Sequence, residues 1–427
     1  MALAATGDPE TTYLAGKLTG EELRSLGVNF NLAPSVDVNC NPANPIIGVR
    51  SYGDTPATVA KYAAGMIRGL QDGGVLCLAK HFPGHGDTSL DSHLTLPCVD
   101  KPRDELERME LAPFRAAIAD GVPAIMTAHI LFPALDDSGV PATMSRRIVT
   151  GLLRGAMGFT GLVTSDCMGV QAVQKFFGSV NGVLAAMNAG VDLVLLSHTT
   201  LLSGEAAKAA AEALQSGKLD RKEMEESVDR ILAAKAKLAA VPAAAFDAEQ
   251  AAALNDKLLC ATITEVHVPK AGRPNVGGHP LCLGCQVYRT GLVGNVVDDV
   301  QQSFPVMMAK ALGGDGFTTP IDPSEDEIYE WVRRAESYTS IVIGTYNGHL
   351  HPQQLELTKA LAEHSGKPVI VVALRNPYDL FPLPESVYTL AAYEYTARST
   401  AAVAAVLLGR HAATGRLPIA TPEQEAQ

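Results

Sequence analysis

Val75-Leu76-Cys77-Leu78-Ala79-Lys80-His81-Phe82-Pro83-Gly84-His85-Gly86-Asp87 is an apolar run that turns polar and then glycine-rich within a few residues. The run Val75–Phe82 reads as a strand, and its apolar start suits a parallel sheet covered on both faces. Beyond Phe82 the proline, glycines and aspartate are those of a loop. The same theme recurs through residues 1–240: a short apolar strand, a polar loop, an Ala-rich amphipathic helix. Further strands are predicted at Val28–Ala33, Ala124–Ile130, Leu162–Ser165 and Asp192–Leu196. Helices are predicted at Pro56–Asp72, Asp104–Asp120, Ser145–Met157, Gly182–Ala189 and Ser203–Ser216. This βαβ order builds a doubly wound sheet or a (β/α)8 barrel. The polar residues favour the barrel. Asp37, Lys80-His81, His129, Asp166 and His198 each come after a different strand, and a barrel draws its chemistry from the C-terminal ends of many strands.

A helix over Arg221–Leu238, opened by Asp220 as its N-cap, leads into Ala-Ala-Val-Pro-Ala-Ala-Ala, and a domain boundary is expected near 240. Residues 241–427 then form a smaller α/β layered domain. Its strands are predicted at Ser340–Thr345 and Val369–Ala373, with weaker ones near Thr262–Val268 and Val387–Tyr393. Its helices are predicted at Glu325–Glu336, Gln353–His364 and Arg398–Gly409, and Pro269–Pro280 reads as a connector.

Composition narrows the function classes. At 427 residues the chain fits two domains, and 47% hydrophobic with 19% charged residues excludes a disordered protein. Lys+Arg 34 against Asp+Glu 46 gives a net charge of −12, which argues against binding nucleic acid through its phosphates. No run of about 18 apolar residues is present, so no membrane span is expected. The opening residues lack the charged and apolar regions of a secretory leader. Seven scattered cysteines, an odd count, suit reduced thiols and a cytoplasmic location. Cys282 and Cys285 form one CxxC without a second pair, which reads as two packed thiols rather than a zinc site.

The densest chemistry lies in Lys80–His93, where three of the eleven histidines fall within thirteen residues beside Asp87 and Asp91. Two functional readings are open. His and Asp are good metal ligands, although no spacing here places two histidines on one face. Alternatively Asp91 and His93, two apart, form a carboxylate–imidazole dyad for proton transfer near neutrality. The second focus is Thr164-Ser165-Asp166-Cys167-Met168-Gly169 at a strand terminus. Asp166 there is either a helix N-cap or a carboxylate suited to attack an anomeric carbon.

Together these segments resemble the two-domain β-N-acetylglucosaminidase branch of glycoside hydrolase family 3. The long motif Lys80-His81-Phe82-Pro83-Gly84-His85-Gly86, with Asp91-Ser92-His93 after it, carries most of the likeness. Ser165-Asp166-Cys167-Met168-Gly169, Asn29–Val38, Arg50-Ser51-Tyr52-Gly53 and Met126–Ile130 support it. Arg375-Asn376-Pro377-Tyr378-Asp379 and Gly415-Arg416-Leu417-Pro418 extend it into the second domain.

The resemblance implies a retaining exo-glycosidase that releases terminal β-linked N-acetylglucosamine, from cell-wall muropeptides or chitin-derived sugars, with no metal and no cofactor. It implies Asp166 as nucleophile, His93 as acid/base and Asp91 as its dyad partner. Lys80, His81 and Arg50 fall on positions that hold sugar hydroxyls. His129 either lines the pocket or satisfies a core hydrogen bond; Asp37 either faces the pocket or caps its loop. His85 and Asp87 are expected to shape the loop. Family members open with further βα units and a segment of the type D-Q-E-G-G-x-V-x-R. The barrel is therefore expected to be N-terminally incomplete, with its gap covered in a homo-oligomer or by rearrangement. A catalytically impaired sugar- or partner-binding relative and an N-acetylglucosaminide phosphorylase are the alternatives.

Overall fold

The computed structural model describes residues 1–88, 96–197, 200–241, 246–286 and 299–425. The chain divides into two compact units, Pro9–Asp247 and Ala248–Gln427 with Met1–Asp8. Helix α1 (Ala2–Ala5), assigned by sequence to the first domain, thus belongs to the second unit, where the Ala5 carbonyl accepts the Arg416 N–H at 2.7 Å. The main division falls at Asp247/Ala248, where 240/241 was expected.

In the first unit α2 (Pro9–Ser25), which the sequence reading missed, packs along α3 (Pro56–Asp72). The latter begins where expected because the Thr55 side chain accepts the Thr58 N–H and Pro56 takes the first helical position. Strands β1 (Leu78–Phe82), β2 (Ala124–Thr127) and β3 (Leu162–Ser165) run parallel in that order. The single helix expected between β1 and β2 is two, α4 (Arg103–Arg108) and α5 (Leu111–Ala119). Pro113 is the physical reason, since its ring clashes with the carbonyl four residues back, at Met109. A π-helical stretch, Arg147–Ala156, joins β2 to β3. Helices α6 (Gln171–Phe177), α7 (Ser179–Ala189), α8 (Thr200–Gln215) and α9 (Arg221–Ala239) complete the unit, the last capped by Asp220 as expected.

The expected first and fifth strands are present only as single parallel bridges. Phe30 pairs with Leu76 and Ser35 with Lys80 on one side, and Thr164 pairs with Leu193 on the other. This gives five parallel positions in chain order, which do not close a ring among the described residues. Side-chain alternation sends Leu78, Ala124, Met126 and Leu162 to one face, where Ile231 and Ala234 of α9 pack against them. Lys80 and Thr164 share that face by register, so the apolar surface gives way to polar groups at the C-terminal strand ends.

The second unit is a three-layer α/β domain. Its strands are β4 (Thr264–His267), β5 (Leu281–Cys285), β6 (Asp315–Thr319), β7 (Ile341–Thr345), β8 (Val369–Ala373) and β9 (Tyr388–Ala391). They lie in the order β4-β9-β8-β7-β5-β6, with only β4 antiparallel. Helices α10 (Ala248–Thr262), α11 (Phe304–Leu312) and α14 (Ala397–Leu407) cover one face. The other carries α12 (Glu325–Ala335) and α13 (Gln353–His364). Cys282 and Cys285 both lie on β5, buried and three positions apart, so they leave the sheet on opposite faces. They are packed thiols, as the sequence suggested, and burial pushes each up to about 12.

Candidate active site

The C-terminal ends of the parallel strands in the first unit gather the polar residues singled out in the sequence. Lys80 is half-buried on β1, and its pKa is pushed down to about 8. Burial contributes most and the Arg50 charge next, while Asp166 and Asp37 pull the other way. Lys80, Arg50 and Asp166 therefore share one electrostatic neighbourhood although 116 residues separate Arg50 from Asp166 in sequence. Arg50 closes the 3-10 turn Gly48–Arg50 and donates from Nη1 to the Ile46 carbonyl at 3.1 Å.

Asp37 caps the loop rather than facing the pocket. Its side chain is fully buried and accepts the backbone N–H of His81 at 3.1 Å and of His85 at 2.7 Å. It also accepts the Ser35 hydroxyl at 2.9 Å and lies 2.8 Å from His81 Nδ1. Burial alone would raise its pKa, but these donors and the imidazoles hold it below the usual carboxylate range. An anionic Asp37 makes His81 Nδ1 the protonated nitrogen and leaves Nε2 an acceptor. Burial in turn lowers the His81 pKa, so the ring stays neutral.

His85 is buried and pushed down to about 4, by burial first and the neighbouring His81 second. Its Nδ1 lies 2.8 Å from the Thr88 hydroxyl. Asn44, which the sequence reading did not single out, ties the loop further by donating to the His85 and Gly86 carbonyls at 2.7 and 3.1 Å. Gly86 is required here: a Cβ would lie 1.6 Å from the Val38 carbonyl oxygen. The Lys80–Thr88 stretch is thus shaped by Asp37, Val38 and Asn44.

Asp166 comes directly after β3 and is half-buried. Its backbone N–H donates to the Thr127 carbonyl at 3.3 Å, and its Oδ1 accepts the Cys167 N–H at 2.7 Å. The next helix begins at Gln171 with Val170 in the cap position, so Asp166 is not a helix N-cap. His129 is buried, and its Nε2 lies 3.2 Å from the Cys167 carbonyl, bracing the turn that presents Asp166. Asp91 and His93 lie outside the described residues.

Among the described residues the cluster of possible metal-ligand atoms is Cys40, Asp87 and Glu110. Of these the sequence reading named only Asp87. The Lys101 ammonium is already bonded to all three, so a cation of the chain's own occupies the position. The sequence carried no local sign of this, because Cys40 and Lys101 are 61 residues apart.

Residues 1–234 match the Glycosyl hydrolase family 3 N terminal domain. The chain is similar to β-hexosaminidase A of Pseudoalteromonas piscicida, 32% identical over 482 aligned positions covering 98% of this chain and 78% of that protein. It is also similar to a β-hexosaminidase of Alkalilimnicola ehrlichii, 39% identical over 183 residues, 43% of this chain. The matched part spans about half of that relative, 52% of its length. Among solved structures, a family 3 β-N-acetylglucosaminidase from Paenibacillus sp. str. FPU-7 superposes with a TM-score of 0.90 at 38% identity, covering 98% of this chain and 81% of that one. With a whole-chain match to a curated relative and a domain match over more than half of its residues, the chain belongs to glycoside hydrolase family 3, alongside its β-hexosaminidases.

Proposed function

We propose that this protein is a retaining exo-glycosidase that removes terminal β-linked N-acetylglucosamine, with Asp166 as nucleophile and His93 as acid/base. The observation that carries the reading is that Lys80 on β1 and Asp166 directly after β3 share one electrostatic neighbourhood, joined there by Arg50 from the Gly48–Arg50 turn. We take those strands as part of a (β/α) barrel wall.

Each residue then has a defined task. The Asp166 carboxylate attacks the anomeric carbon, forming a glycosyl ester as the bond to the leaving oxygen breaks. His93, its tautomer held by Asp91, gives a proton to that oxygen. The same imidazole then takes a proton from the water that hydrolyses the ester. Lys80 and Arg50 donate to sugar hydroxyls, and His81, fixed by Asp37, presents Nε2 as an acceptor to another. His129 keeps the Asp166–Cys167 turn in place.

The test is release of the chromophore from an aryl β-N-acetylglucosaminide, with and without inorganic phosphate. Turnover in the absence of phosphate, abolished in Asp166→Asn, supports hydrolysis. Turnover that requires phosphate identifies phosphorolysis instead. No turnover in either arm, with the sugar still bound, identifies a binding protein.

A further inference from the structure

In the second unit the C-terminal ends of the parallel strands carry a polar cluster that the chemistry of Asp166 does not use. From β5 the chain passes to β6 on one side and then to β7, β8 and β9 on the other, so the strand order reverses between β5 and β7. Open α/β sheets take up ligands beyond the carboxyl ends of their strands at such a reversal. Four side chains from the loops after β6, β7 and β8 meet there in two pairs. His349 Nδ1 lies 2.7 Å from Asp379 Oδ1, which also accepts the His349 N–H at 2.9 Å. His351 Nδ1 lies 3.0 Å from Asp322 Oδ2. The pairs belong to one neighbourhood: burial does most to raise the pKa of Cys285 at the end of β5, and the Asp379 and Asp322 charges both add to it.

The fold holds this cluster closely. Asp379 is fully buried in the 3-10 turn Pro377–Leu380. A Cβ on Gly348 would lie 3.3 Å from Asp379 Cγ and 2.9 Å from Leu355 Cδ2, so the loop after β7 passes this carboxylate at backbone distance. Asn376 Nδ2 donates to Asn347 Oδ1 at 2.9 Å and joins the loops after β7 and β8 a second time. Among the described residues the non-glycine positions with positive φ are Asn347 at +54° and Tyr393 at +60°, each two places after a strand at this edge. Strained backbone of this kind gathers at ligand sites. Three buried atoms of the two loops have no hydrogen-bond partner: His349 Nε2, Asp379 Oδ2 and Asn376 Oδ1. All three are acceptors, because the oxygens of a carboxylate and an amide only accept, and an imidazole that donates Nδ1–H to Asp379 accepts at Nε2. Buried acceptors left empty cost free energy that an added donor recovers. A ligand with several hydroxyl groups supplies such donors, whereas a carboxylate would bring only more acceptors.

We propose that the loops after β7 and β8 form a carbohydrate-binding site, in which His349 Nε2 and the neighbouring Asp379 and Asn376 oxygens accept hydrogen bonds from sugar hydroxyls. Asp379 selects the tautomer of His349 that accepts. His351, a third exposed and paired with Asp322 in the same manner, offers a further acceptor at the rim. The site does not depend on the roles given to Asp166 and His93.

The probe is N-acetylglucosamine, which has no glycosidic bond to cut, so the full chain can be tested without turnover. With the sugar in excess, amide hydrogen exchange in peptides covering residues 345–351 and 374–380 should slow by about threefold or more. Peptides covering residues 162–168 report the surroundings of Asp166 separately. In His349→Ala the sugar concentration that half-protects 345–351 and 374–380 should rise by about five- to tenfold, the size of one lost hydrogen bond, while that for 162–168 stays the same. His349→Gln, which sets an amide oxygen near the place of Nε2, should recover most of the protection. Exchange at 345–351 and 374–380 that the sugar does not slow overturns the site, and protection at 162–168 in the same experiment assigns the sugar to the first unit alone. Protection of the two loops that needs no more sugar in His349→Ala than in the parent also overturns it. Protection of these loops without any at 162–168 upholds the site and counts against the reading of Asp166. Should His349→Ala not fold, His351→Ala removes the exposed acceptor and is read in the same way.

Discussion

The buried carboxylate of Asp37 lies 2.8 Å from Nδ1 of His81 and also accepts the backbone N–H groups of His81 and His85. One anion therefore sets the path of the chain at two points of the loop and the tautomer of the ring between them. Asn in its place keeps the shape but must turn an NH2 group toward some of these donors, leaving buried N–H groups without an acceptor. Asp37→Asn should cost about 3 kcal/mol of stability, at the upper end of the range for buried polar groups left without a partner. Urea unfolding measures it. A loss below about 0.5 kcal/mol, the size of an ordinary surface change, would show that the loop does not depend on this anion.

Lys80 links substrate binding to pH. Its pKa, pushed down to about 8 by burial and by Arg50, lies well below the usual Lys range. Above pH 8 the folded protein gives up the ammonium while the unfolded chain keeps it to about 10.5. Stability therefore gains as pH rises between these values, because a desolvated charge is relieved. Binding of sugar hydroxyls should weaken over the same interval as a cationic donor is lost. KM should thus rise from pH 8 to 10 while the melting temperature does not fall on account of this residue. In Lys80→Met, KM should be high throughout and lose this pH dependence. A wild-type KM that stays flat to pH 10 would remove Lys80 from the binding site.

How far the sequence reveals this molecule depends on whether the cause of each feature is local. Helix Pro56–Asp72 and helix Gln353–His364 were legible to the residue, as was strand Val369–Ala373. In the first, cap, leading proline and apolar spacing all lie within the element. Strand Asp315–Thr319 was missed because it is an edge strand with a glycine and polar residues and shows no apolar run. Leu281–Cys285 was read for its cysteines rather than as the buried strand it is. Within the site, Lys80, Arg50 and Asp166 were singled out through the motif, and in the structure the charges of Arg50 and Asp166 both act on Lys80. Asp37 was singled out as a pocket-facing or loop-capping residue, but its partners, 44 and 48 residues away, were not. Lys101 was not singled out, since it meets Cys40 across a separation of 61 and no local pattern reports that. No helix among the described residues is long and apolar enough to cross a membrane.

The proposed chemistry divides between Asp166 and His93 in a measurable way. Asp166→Asn removes the attacking charge and should lower kcat by several orders of magnitude with KM little changed. His93→Ala should slow substrates with poor leaving groups by about 10²-fold or more. Activated aryl leaving groups need little protonation and should be affected less. Steady-state kinetics on the two substrate types decides the matter. Equal slowing of both would remove His93 as the acid, and substantial turnover in Asp166→Asn would remove the nucleophile.

His85 gives the fold an acid limit that does not involve catalysis. Buried against His81 and bonded through Nδ1 to Thr88, its pKa is pushed down to about 4 from 6.5. As pH falls below 6.5 the unfolded chain takes up a proton there and the folded protein does not, so the equilibrium moves toward unfolding until pH 4 is passed. Over this window the loss reaches about 3 kcal/mol, at 1.36 kcal/mol per pKa unit. His81, lowered by the same burial, adds to it in the same direction. Asp37, held below its usual range, adds only at still lower pH, where the unfolded chain takes up a proton at this position before the folded protein does. His85→Asn keeps an acceptor or donor near Thr88 but cannot be protonated. That variant should be less stable than the parent at pH 7 and lose less stability on going from pH 7 to 4.5. Thermal unfolding of both proteins across that range checks the sign. Parallel curves would show that His85 titrates normally in the folded protein, and that its burial does not set the acid limit.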